Sequence, residues 1–374
     1  MKTRAAVLWA TNQPFQIEDL QLAPPGEDEV LVRMQAAGVC HSDWHVVTGD
    51  SKLPLPAVLG HEGAGVVEEV GKRVTHVQPG DQVILNWAPH CGACYWCTHE
   101  RKCLCPSFTS VRWGGTQMDG TTRLSRRGAG VYQFCAVGCF ADHVVTHKSS
   151  CVPVHSKEAG KSVIDPRVAA LVGCAVTTGV GAVVRTAHVP RGASVVVLGV
   201  GGVGVSAVMG AAVAGAAPII AVDRSATRCH AAMRLGATAN IVANDGIDLA
   251  PRIRDLTHGR GADYVIEAVG LPAVQEQALT LVRPGGAVVL AGLSAMGSST
   301  NLPGAIITRR EIAVLGSYYG TSDPTRDFQI YLDWWRAGLL PLSSMVGTEY
   351  RLEAINEAYS ELIRAEGGRG VIVW

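Results

Sequence analysis

The sequence predicts an α/β protein with two domains, one β-rich and one built on a doubly wound parallel sheet. The chain has 374 residues, which is too long for one ordinary core. Hydrophobic residues make up 48 % and charged residues 17 % of it, as expected for buried parallel strands. Short strand-like runs fill the first 150 residues, and strands alternate with helices further along the chain.

The N-terminal part is predicted to form a β-rich, partly closed barrel. Its apolar runs are short, alternate with polar residues and are separated by glycine and proline. The predicted strands are TRAAVLWA, EVLVRMQAAGV, GAGVVEEVG, GDQVILN and ADHVVTH. A helical segment, DPRVAALVGCAVTTGVGAVV, follows them.

The middle of the chain is predicted to form the parallel sheet, because strands and helices alternate at βαβ spacing. Residues 192–222 carry no charge, but seven glycines and Pro218 favour a strand–turn–helix–strand unit over a membrane span. The predicted strands are ASVVVLG, PIIAVD, NIVA, ADYVIEAVG and GAVVLAGL. After Ser317 the sequence predicts two helices, TRDFQIYLDWWRAG and LEAINEAYSELIRAE, and a last strand, GVIVW, which we expect to join the β-rich domain.

Composition excludes some classes of function. Lysine plus arginine equals aspartate plus glutamate, so the formal net charge is zero, and no basic block predicts nucleic-acid binding. The N-terminus lacks an apolar run typical of a signal peptide. Eleven cysteines in such a chain favour metal binding over disulfides. We therefore expect a cytoplasmic protein that binds neither membrane nor nucleic acid.

Four cysteines within fifteen residues predict a closed metal site. Cys91, Cys94 and Cys97 have CxxCxxC spacing, and Cys105 follows. Four thiolates can surround one Zn²⁺ tetrahedrally with no position left for substrate, so such a site is structural. Spacing leaves three points open: Cys103 lies in the same stretch, an iron–sulfur cluster uses similar spacing, and the thiols could be free buried cysteines.

A glycine-rich turn predicts dinucleotide binding. Gly199, Gly201 and Gly204 follow the strand ASVVVL and precede a helix, the context in which GxGxxG holds a pyrophosphate. Asp223 ends the next strand, where a carboxylate binds the ribose hydroxyls and disfavours a 2′-phosphate. NAD is therefore preferred to NADP, although the neighbouring Arg224 weakens that preference. Otherwise, Asp223 is a helix cap or a solvated strand end.

Three separate segments contain a second set of metal-binding residues: Cys40 in GVCHSDWH, His61 and Glu62 in LGHEGAG, and Cys174 in LVGCAVTTG. Each cysteine or histidine alone is more often a core residue. Together they form a Cys₂His set, which leaves one tetrahedral position open for substrate.

These motifs resemble the zinc-containing alcohol dehydrogenases of the medium-chain dehydrogenase/reductase superfamily. The resemblance extends over essentially the whole chain and depends on GHEGAGVVEEVG, the CxxCxxC-x₇-C lobe, GCAVTTG, and GVGGVG with its downstream aspartate. It implies a GroES-like catalytic domain, residues 1–174 and 318–374 with a structural-zinc lobe at 89–106. It also implies a Rossmann NAD-binding domain, residues 175–317.

The resemblance assigns roles to the metal-binding residues. It implies that Cys40, His61 and Cys174 bind a catalytic zinc, that Glu62 can approach this metal, and that Asp43 orients His61. It also implies that the lobe cysteines, Cys91, Cys94, Cys97 and Cys105, bind a structural zinc, with Cys103 outside the ligand set.

The resemblance further implies a proton relay, a cofactor site and a substrate pocket. Ser42 would take the alcohol proton and His45 would pass it to solvent, although these residues could be a turn serine and a surface histidine. Trp87 and Phe134 would narrow the pocket, which favours primary aliphatic or aromatic alcohols. The implied cofactor-binding residues are His41, Thr178, Gly199, Gly201, Gly202, Val203, Gly204, Asp223, Arg224 and Arg369.

The predicted function is reversible hydride transfer between a primary alcohol and NAD⁺, with two zinc ions per chain. The strand EIAVLGS predicts a homodimer by pairing across a two-fold axis, and a tetramer is possible. One alternative is an S-(hydroxymethyl)thiol (formaldehyde) dehydrogenase. A second is a nicotinoprotein that keeps NAD(H) bound, and a third is a non-catalytic scaffold. The first alternative needs an anion-binding group at the pocket mouth, and the arginines near that part of the chain are Arg112, Arg123, Arg126 and Arg127.

Overall fold

The structure of the protein is a computed structural model that describes residues 1–154, 164–244, 246–364 and 368–374. It divides into two compact units. The first unit comprises Met1–Cys174, Asp323–Leu332 and Leu342–Trp374, and the second comprises Ala175–Ser322 and Asp333–Pro341.

The strands of the described chain are numbered in chain order. They are β1 (Lys2–Leu8), β2 (Gln16–Leu22), β3 (Glu29–Gly38), β4 (Ala57–Val58), β5 (Glu62–Val70), β6 (Gln82–Leu85), β7 (Leu124–Arg126), β8 (Ala129–Gln133), β9 (His143–His147), β10 (Cys151–Pro153), β11 (Val195–Leu198), β12 (Ile219–Asp223), β13 (Ala239–Val242), β14 (Ala262–Glu267), β15 (Val282–Leu290), β16 (Ala313–Gly316), β17 (Val346–Tyr350) and β18 (Arg369–Val373).

The α-helices are numbered in the same way. They are α1 (His41–Thr48), α2 (Tyr95–Thr98), α3 (Thr109–Gly114), α4 (Pro166–Leu171), α5 (Thr177–Gly181), α6 (Gly202–Ala214), α7 (Ala226–Arg234), α8 (Leu249–Leu256), α9 (Pro272–Leu281), α10 (Gly304–Arg309), α11 (Pro324–Arg336) and α12 (Ile355–Arg364). Two π-helical turns, Val172–Val176 and Ala182–Thr186, extend α4 and α5.

The first unit contains a closed barrel and a second sheet. The barrel has the order β1–β2–β7–β8–β4, and the sheet has the order β10–β6–β5–β3–β18–β17, with β9 also paired to β3. In the antiparallel pair β3–β5, Gly38 lies opposite Glu62. This register places the end of β3, just before Cys40, beside the start of β5, just after His61.

The second unit is a doubly wound sheet of parallel strands. Its order is β13–β12–β11–β14–β15–β16 across the described residues. The residues of β11, VVVL, are buried, as expected for a central strand covered on both faces. Successive strands are added toward one edge of the sheet from β11 to β13 and toward the other edge from β14 to β16. The order therefore reverses between β11 and β14, which is the position where such folds bind ligands.

The structure confirms the predicted fold class and corrects individual elements. A barrel is present in the first unit, but of the five strands predicted for it only TRAAVLWA (β1) lies there, and the other four form β3, β5, β6 and β9 of the second sheet. The uncharged segment 192–222 forms β11, α6 and β12 as predicted. The region after Ser317, predicted as two helices and one strand, contains a further strand, β17. This strand is short and partly exposed. It has no hydrophobic pattern that would predict it from sequence, and it forms because it pairs with β18. The strand predicted in EIAVLGS is β16 at the sheet edge.

Among the residues that the structure describes, one helical segment is long and apolar enough to cross a membrane. It runs from Pro166 to Thr186, and 89 % of its most apolar window is buried inside the protein.

Candidate active site and metal centres

Four potential ligand groups meet inside the first unit. Cys40 caps the N-terminus of α1, His61 and Glu62 begin β5, and Cys174 lies in a π-helical turn. All four side chains are buried, and their ligand atoms lie within 4.8 Å of one another. The three segments thus bring together two thiols, an imidazole and a carboxylate at one point.

Asp43 lies against the ring of His61. This buried aspartate accepts a hydrogen bond from the backbone N–H of Gly60 at 2.8 Å through Oδ1. Its Oδ2 lies 3.1 Å from Nδ1 of His61. The second ring nitrogen of His61, Nε2, is therefore left for the ligand cluster, which is the usual arrangement of a metal-binding histidine.

The charges of this cluster favour a bound cation. The neighbouring Cys174 thiol lowers the pKa of Cys40 well below its ordinary value. Burial alone lowers the pKa of His61, but the negative charges of Asp43 and the two cysteines raise it well above its ordinary value. The pocket around His61 is therefore negative, and Zn²⁺ with thiolate and imidazole ligands matches that charge and donor set.

Glu62 forms an ion pair at the same place. Arg369, the first residue of β18, donates a hydrogen bond from Nη2 to Oε2 of Glu62 at 2.7 Å, and both residues are buried. Burial raises the pKa of the Glu62 carboxyl, and the Arg369 guanidinium opposes that rise. Oε1 of Glu62 makes no hydrogen bond, so one carboxylate oxygen remains available in the cluster.

The four lobe cysteines form a second cluster. Sγ–Sγ distances are 3.9 Å for Cys91–Cys97, 3.5 Å for Cys94–Cys97 and 3.8 Å for Cys94–Cys105. Four sulfurs placed tetrahedrally about 2.3 Å from one Zn²⁺ would be separated by about 3.8 Å. The geometry therefore fits a single metal ion with four thiolate ligands.

Cys103 is buried but lies outside the group of four. Its carbonyl oxygen accepts a hydrogen bond from Nη1 of the buried Arg112 at 2.9 Å. The lobe packs through Cys97 and Cys105 on a small apolar cluster that includes Phe108. The lobe therefore has only a small apolar core among the described residues.

Aromatic rings surround His61. Trp87 and Phe134 are buried and meet the His61 ring edge to face, with ring centroids 6.2 Å and 5.5 Å away. The ring centroid of Trp113, on α3, lies 6.1 Å from that of Phe134. No sequence motif indicates Trp113, because only the packing of α3 brings it there.

The predicted relay residues lie on one face of α1. Ser42 and His45 are three residues apart, so their side chains are neighbours on the helix. Oγ of Ser42 lies 3.8 Å from Sγ of Cys40. His45 is partly exposed, and its Nδ1 lies 3.4 Å from Oδ2 of Asp50. The helix thus connects the buried cluster with solvent.

The second unit contains the predicted dinucleotide turn. Gly199 has a φ of +80°, and a Cβ on Gly204 would lie 1.7 Å from the carbonyl oxygen of Gly199. Neither position tolerates a larger residue. Gly201 is the N-cap residue of α6, whose first turn contains Gly202 and Val203. The backbone N–H groups of this first helical turn therefore point toward the glycine turn.

Asp223 ends β12 beside this turn. Its carboxylate accepts hydrogen bonds from the N–H groups of Val200 and Ser225, both at 2.9 Å. Ser225, rather than Asp223, caps α7. Thr178 is buried in α5 and Arg224 follows Asp223, whereas His41 and Arg369 belong to the first unit.

Comparisons with known proteins agree with this fold and site. The family model for the alcohol dehydrogenase GroES-like domain matches residues 26–156, and the model for zinc-binding dehydrogenases matches residues 202–336. An NDMA-dependent alcohol dehydrogenase of Amycolatopsis methanolica is 39 % identical over 100 % of this chain and 99 % of its own. A probable S-(hydroxymethyl)glutathione dehydrogenase 1 of Schizosaccharomyces pombe is 35 % identical over 96 % of this chain and 93 % of its own.

Two solved structures are similar throughout. An alcohol dehydrogenase zinc-binding domain protein from Burkholderia ambifaria has a TM-score of 0.93 at 34 % identity. Benzyl alcohol dehydrogenase from Acinetobacter calcoaceticus also has a TM-score of 0.93, at 29 % identity. Each comparison covers 100 % of this chain and 99 % of the other.

The fold and the two cysteine-containing clusters define a zinc-binding dehydrogenase. The chain belongs to the zinc-containing alcohol dehydrogenases of the medium-chain dehydrogenase/reductase superfamily, which are oxidoreductases acting on alcohols. Membership brings zinc and a nicotinamide cofactor, with small-molecule alcohols or aldehydes as substrates.

Proposed function

We propose that the protein transfers hydride reversibly between a primary alcohol and NAD⁺, giving an aldehyde and NADH. The observation that supports this most is the buried Cys40–His61–Cys174 donor set, with Asp43 on His61. Three protein ligands leave a tetrahedral position open, as a catalytic zinc requires. We further propose that the catalytic domain comprises residues 1–174 and 318–374, and the coenzyme domain residues 175–317.

We assign one zinc to each cluster. Cys40, His61 and Cys174 would hold the catalytic ion, and the four lobe cysteines would hold the structural ion. When bound, zinc supplies Lewis acidity toward the alcohol oxygen and the nicotinamide accepts hydride. The rest of the chemistry belongs to the side chains around the site.

These side chains would orient the substrate and move its proton. Trp87 and Phe134 line the approach to His61 with apolar ring faces, which exclude water and suit an unbranched or aromatic alcohol better than a bulky secondary one. Oγ of Ser42 would accept the hydroxyl proton, and His45 would release it at the partly exposed end of α1. Asp43 would keep His61 in its ligating orientation.

NAD is the proposed cofactor because of Asp223. A carboxylate at the end of β12 favours ribose hydroxyls and repels a 2′-phosphate. Its two hydrogen bonds from Val200 and Ser225 keep it beside the glycine turn. Gly199, Gly201 and Gly204 would leave room for the pyrophosphate, with Gly202, Val203, Thr178, Arg224, His41 and Arg369 as the remaining proposed cofactor residues.

A second candidate is an enzyme that keeps its nicotinamide bound and uses another electron acceptor. One relative, 39 % identical over 99 % of its length, is named for dependence on NDMA. The two candidates share the zinc site and the hydride step. They differ in whether the nicotinamide exchanges with solution after each turnover.

Thiol-dependent formaldehyde oxidation has less support from the structure. Of the four candidate arginines, Arg112 binds the Cys103 carbonyl, Arg123 pairs with Glu29, and Arg126 pairs with Glu18. The fourth, Arg127, is exposed. The support for this alternative is the S-(hydroxymethyl)glutathione dehydrogenase named among the relatives.

One set of assays separates these functions. Purified protein is dialysed extensively, its retained nicotinamide is measured, and ethanol, hexanol, benzyl alcohol, 2-propanol and formaldehyde with or without glutathione are tested by NADH absorbance. The proposal predicts NADH formation from primary alcohols with added NAD⁺. Turnover without added NAD⁺, with a separate acceptor such as NDMA, would favour the second candidate. Strict thiol dependence would contradict both.

A further inference from the structure

A buried carboxylate ends the central strand β14 at the reversal point of the parallel sheet. Glu267 is the last residue of β14 and has no exposed surface. It is paired with Leu198, the residue before Gly199. Ligands of doubly wound sheets bind outside the carboxyl ends of the strands at this point, so Glu267 lies next to the turn proposed to hold the dinucleotide.

Glu267 fixes the backbone of two loops. Its Oε1 accepts hydrogen bonds from the N–H groups of Val269 at 2.7 Å and Gly270 at 2.8 Å. Its carbonyl oxygen accepts hydrogen bonds from the N–H groups of Ala291 and Gly292, each at 2.9 Å. The loops after β14 and β15 therefore share one anchor.

The loop after β14 touches the glycine turn. A Cβ on Gly199 would lie 2.4 Å from Cγ2 of Val269. Val269 is nevertheless 42 % exposed, so it presents apolar surface beside the turn. A displacement of residues 268–270 would therefore change the surface that a dinucleotide meets.

Gln275 on α9 connects the carboxylate with a second set of hydrogen bonds. Its Nε2 lies 3.5 Å from Oε2 of Glu267 and donates to Oγ of Ser294 at 2.9 Å. Its Oε1 accepts a hydrogen bond from Oγ1 of Thr300 at 2.5 Å. These bonds fix the orientation of the Gln275 amide, so an acceptor is required at residue 267. A glutamine there would direct an NH₂ group either at Gln275 or at the N–H groups of Val269 and Gly270.

Keeping a carboxylate here costs stability. Burial raises the pKa of Glu267, and the N–H donors only partly oppose this rise. In the part of the chain that the structure describes, the carboxylate is held by N–H groups rather than by a cation. Ionisable groups kept at such a cost are concentrated at functional sites.

We propose that Glu267 is a positioning residue for the dinucleotide, acting through the backbone of residues 268–270. This inference rests on the proposed function, since it takes the nicotinamide cofactor to bind at the glycine turn. It assigns to Glu267 no contact with the reacting atoms.

The test compares Glu267→Gln with a matched control on the same strand. Asp263, near the opposite end of β14, accepts hydrogen bonds from the backbone N–H and hydroxyl of Ser194 at 2.7 Å and 2.6 Å. Asp263→Asn therefore disturbs a carboxylate that anchors backbone at the amino edge of the sheet, and it also removes an ion pair with Arg283 at 2.5 Å. The Kd of NADH is measured by fluorescence titration, and Tm by thermal unfolding.

We expect Glu267→Gln to raise the Kd of NADH about tenfold, the effect of losing one charged hydrogen bond. Asp263→Asn should lower Tm and leave the Kd unchanged. In the double variant Glu267→Gln/Gln275→Glu, residue 267 becomes the donor and residue 275 the acceptor, so the hydrogen bond between them can form again. The Kd of NADH for this variant should return to within about threefold of the wild type. If Glu267→Gln does not fold, Glu267→Asp, which withdraws the carboxylate by one methylene group, takes its place.

Three results would overturn the inference: an unchanged Kd in Glu267→Gln, an equal rise in Asp263→Asn, or no recovery in the double variant. Failure of the proposed function would look different. In that case the wild-type protein itself would not bind NADH.

Discussion

At the scale of single residues, the two cysteine-containing clusters divide the cysteines by role. Cys174 lies with Cys40 and His61 at a buried point lined by aromatic rings. Cys151, in the same unit, is also buried, and burial alone raises its pKa. Burial therefore does not distinguish Cys174 from Cys151. The neighbouring side chains do, because only Cys174 lies among other potential metal ligands.

Cys174→Ala is expected to abolish alcohol-dependent NADH formation, because two ligands cannot hold the catalytic zinc. Zinc content should fall by about one ion per chain, relative to the two we propose. The matched control is Cys151→Ala, which should keep both activity and zinc. Turnover and zinc analysis of the purified variants check the prediction, and retained turnover in Cys174→Ala would contradict it.

Asp223→Asn is expected to weaken the preference of the enzyme for NAD⁺ over NADP⁺. Removing the negative charge removes the repulsion of a 2′-phosphate, and one amide can accept only one of the two N–H groups that the carboxylate now binds. The ratio of kcat/KM with NADP⁺ to that with NAD⁺ should rise at least about tenfold. An unchanged ratio would mean that Asp223 does not select NAD.

At the scale of elements, the 89–106 lobe is a short segment, and we propose that a metal ion bound to its thiols keeps it ordered. It contains only one α-helix, α2, of four residues, within the described chain. Lys102 also pairs with Asp323 at 2.8 Å. An ion pair and a small apolar cluster contribute little compared with four metal–thiolate bonds.

Cys97→Ser is expected to lower Tm by several degrees and to remove about one zinc per chain. Cys103→Ser is the matched control, because Cys103 is equally buried but lies outside the ligand group. Thermal unfolding and zinc analysis decide the outcome. Equal Tm values for wild type and Cys97→Ser would contradict a structural metal in the lobe.

At the scale of the whole molecule, a partly buried histidine, His147, links folding to pH. Burial lowers the pKa of His147 from 6.5 to about 4. Its Nδ1 accepts the N–H of Ser149 at 3.1 Å, and its ring lies 4.8 Å from that of Phe108. The native protein therefore holds this imidazole neutral at a pH where the unfolded chain protonates it.

Stability should fall as the pH drops through the interval from 6.5 to about 4. Above this interval His147 is neutral in both states, and within it only the unfolded chain takes up the proton. The loss from His147 is about 2 kcal/mol between about pH 7.5 and about pH 5. His147→Asn retains an acceptor for the N–H of Ser149 but cannot take up this proton. Between the same two pH values, its free energy of unfolding in urea should therefore fall by about 2 kcal/mol less than that of the wild type. An equal fall in both proteins would contradict the prediction.

Local patterns in the sequence predicted the main sheet of the coenzyme unit. Uncharged β-branched runs such as β11 have few alternatives to a buried parallel strand, and glycine spacing predicted the turn at Gly199. The pattern failed for β17, because that strand is short, partly exposed and stabilised by its neighbour β18. Hydrophobic periodicity does not report pairing of this kind.

By itself, the sequence determined the fold class and the glycine turn, because each depends on residues close together in the chain. It predicted a metal site in the lobe, but the tertiary structure was needed to group Cys91, Cys94, Cys97 and Cys105 apart from Cys103. It could suggest Cys40, His61 and Cys174 as one ligand set only through family resemblance, since they lie far apart in sequence. The register between β3 and β5 brings Cys40 and His61 together. Only the tertiary structure revealed Trp113 and Glu267, because their roles come from contacts that the packed elements create, which no local spacing encodes.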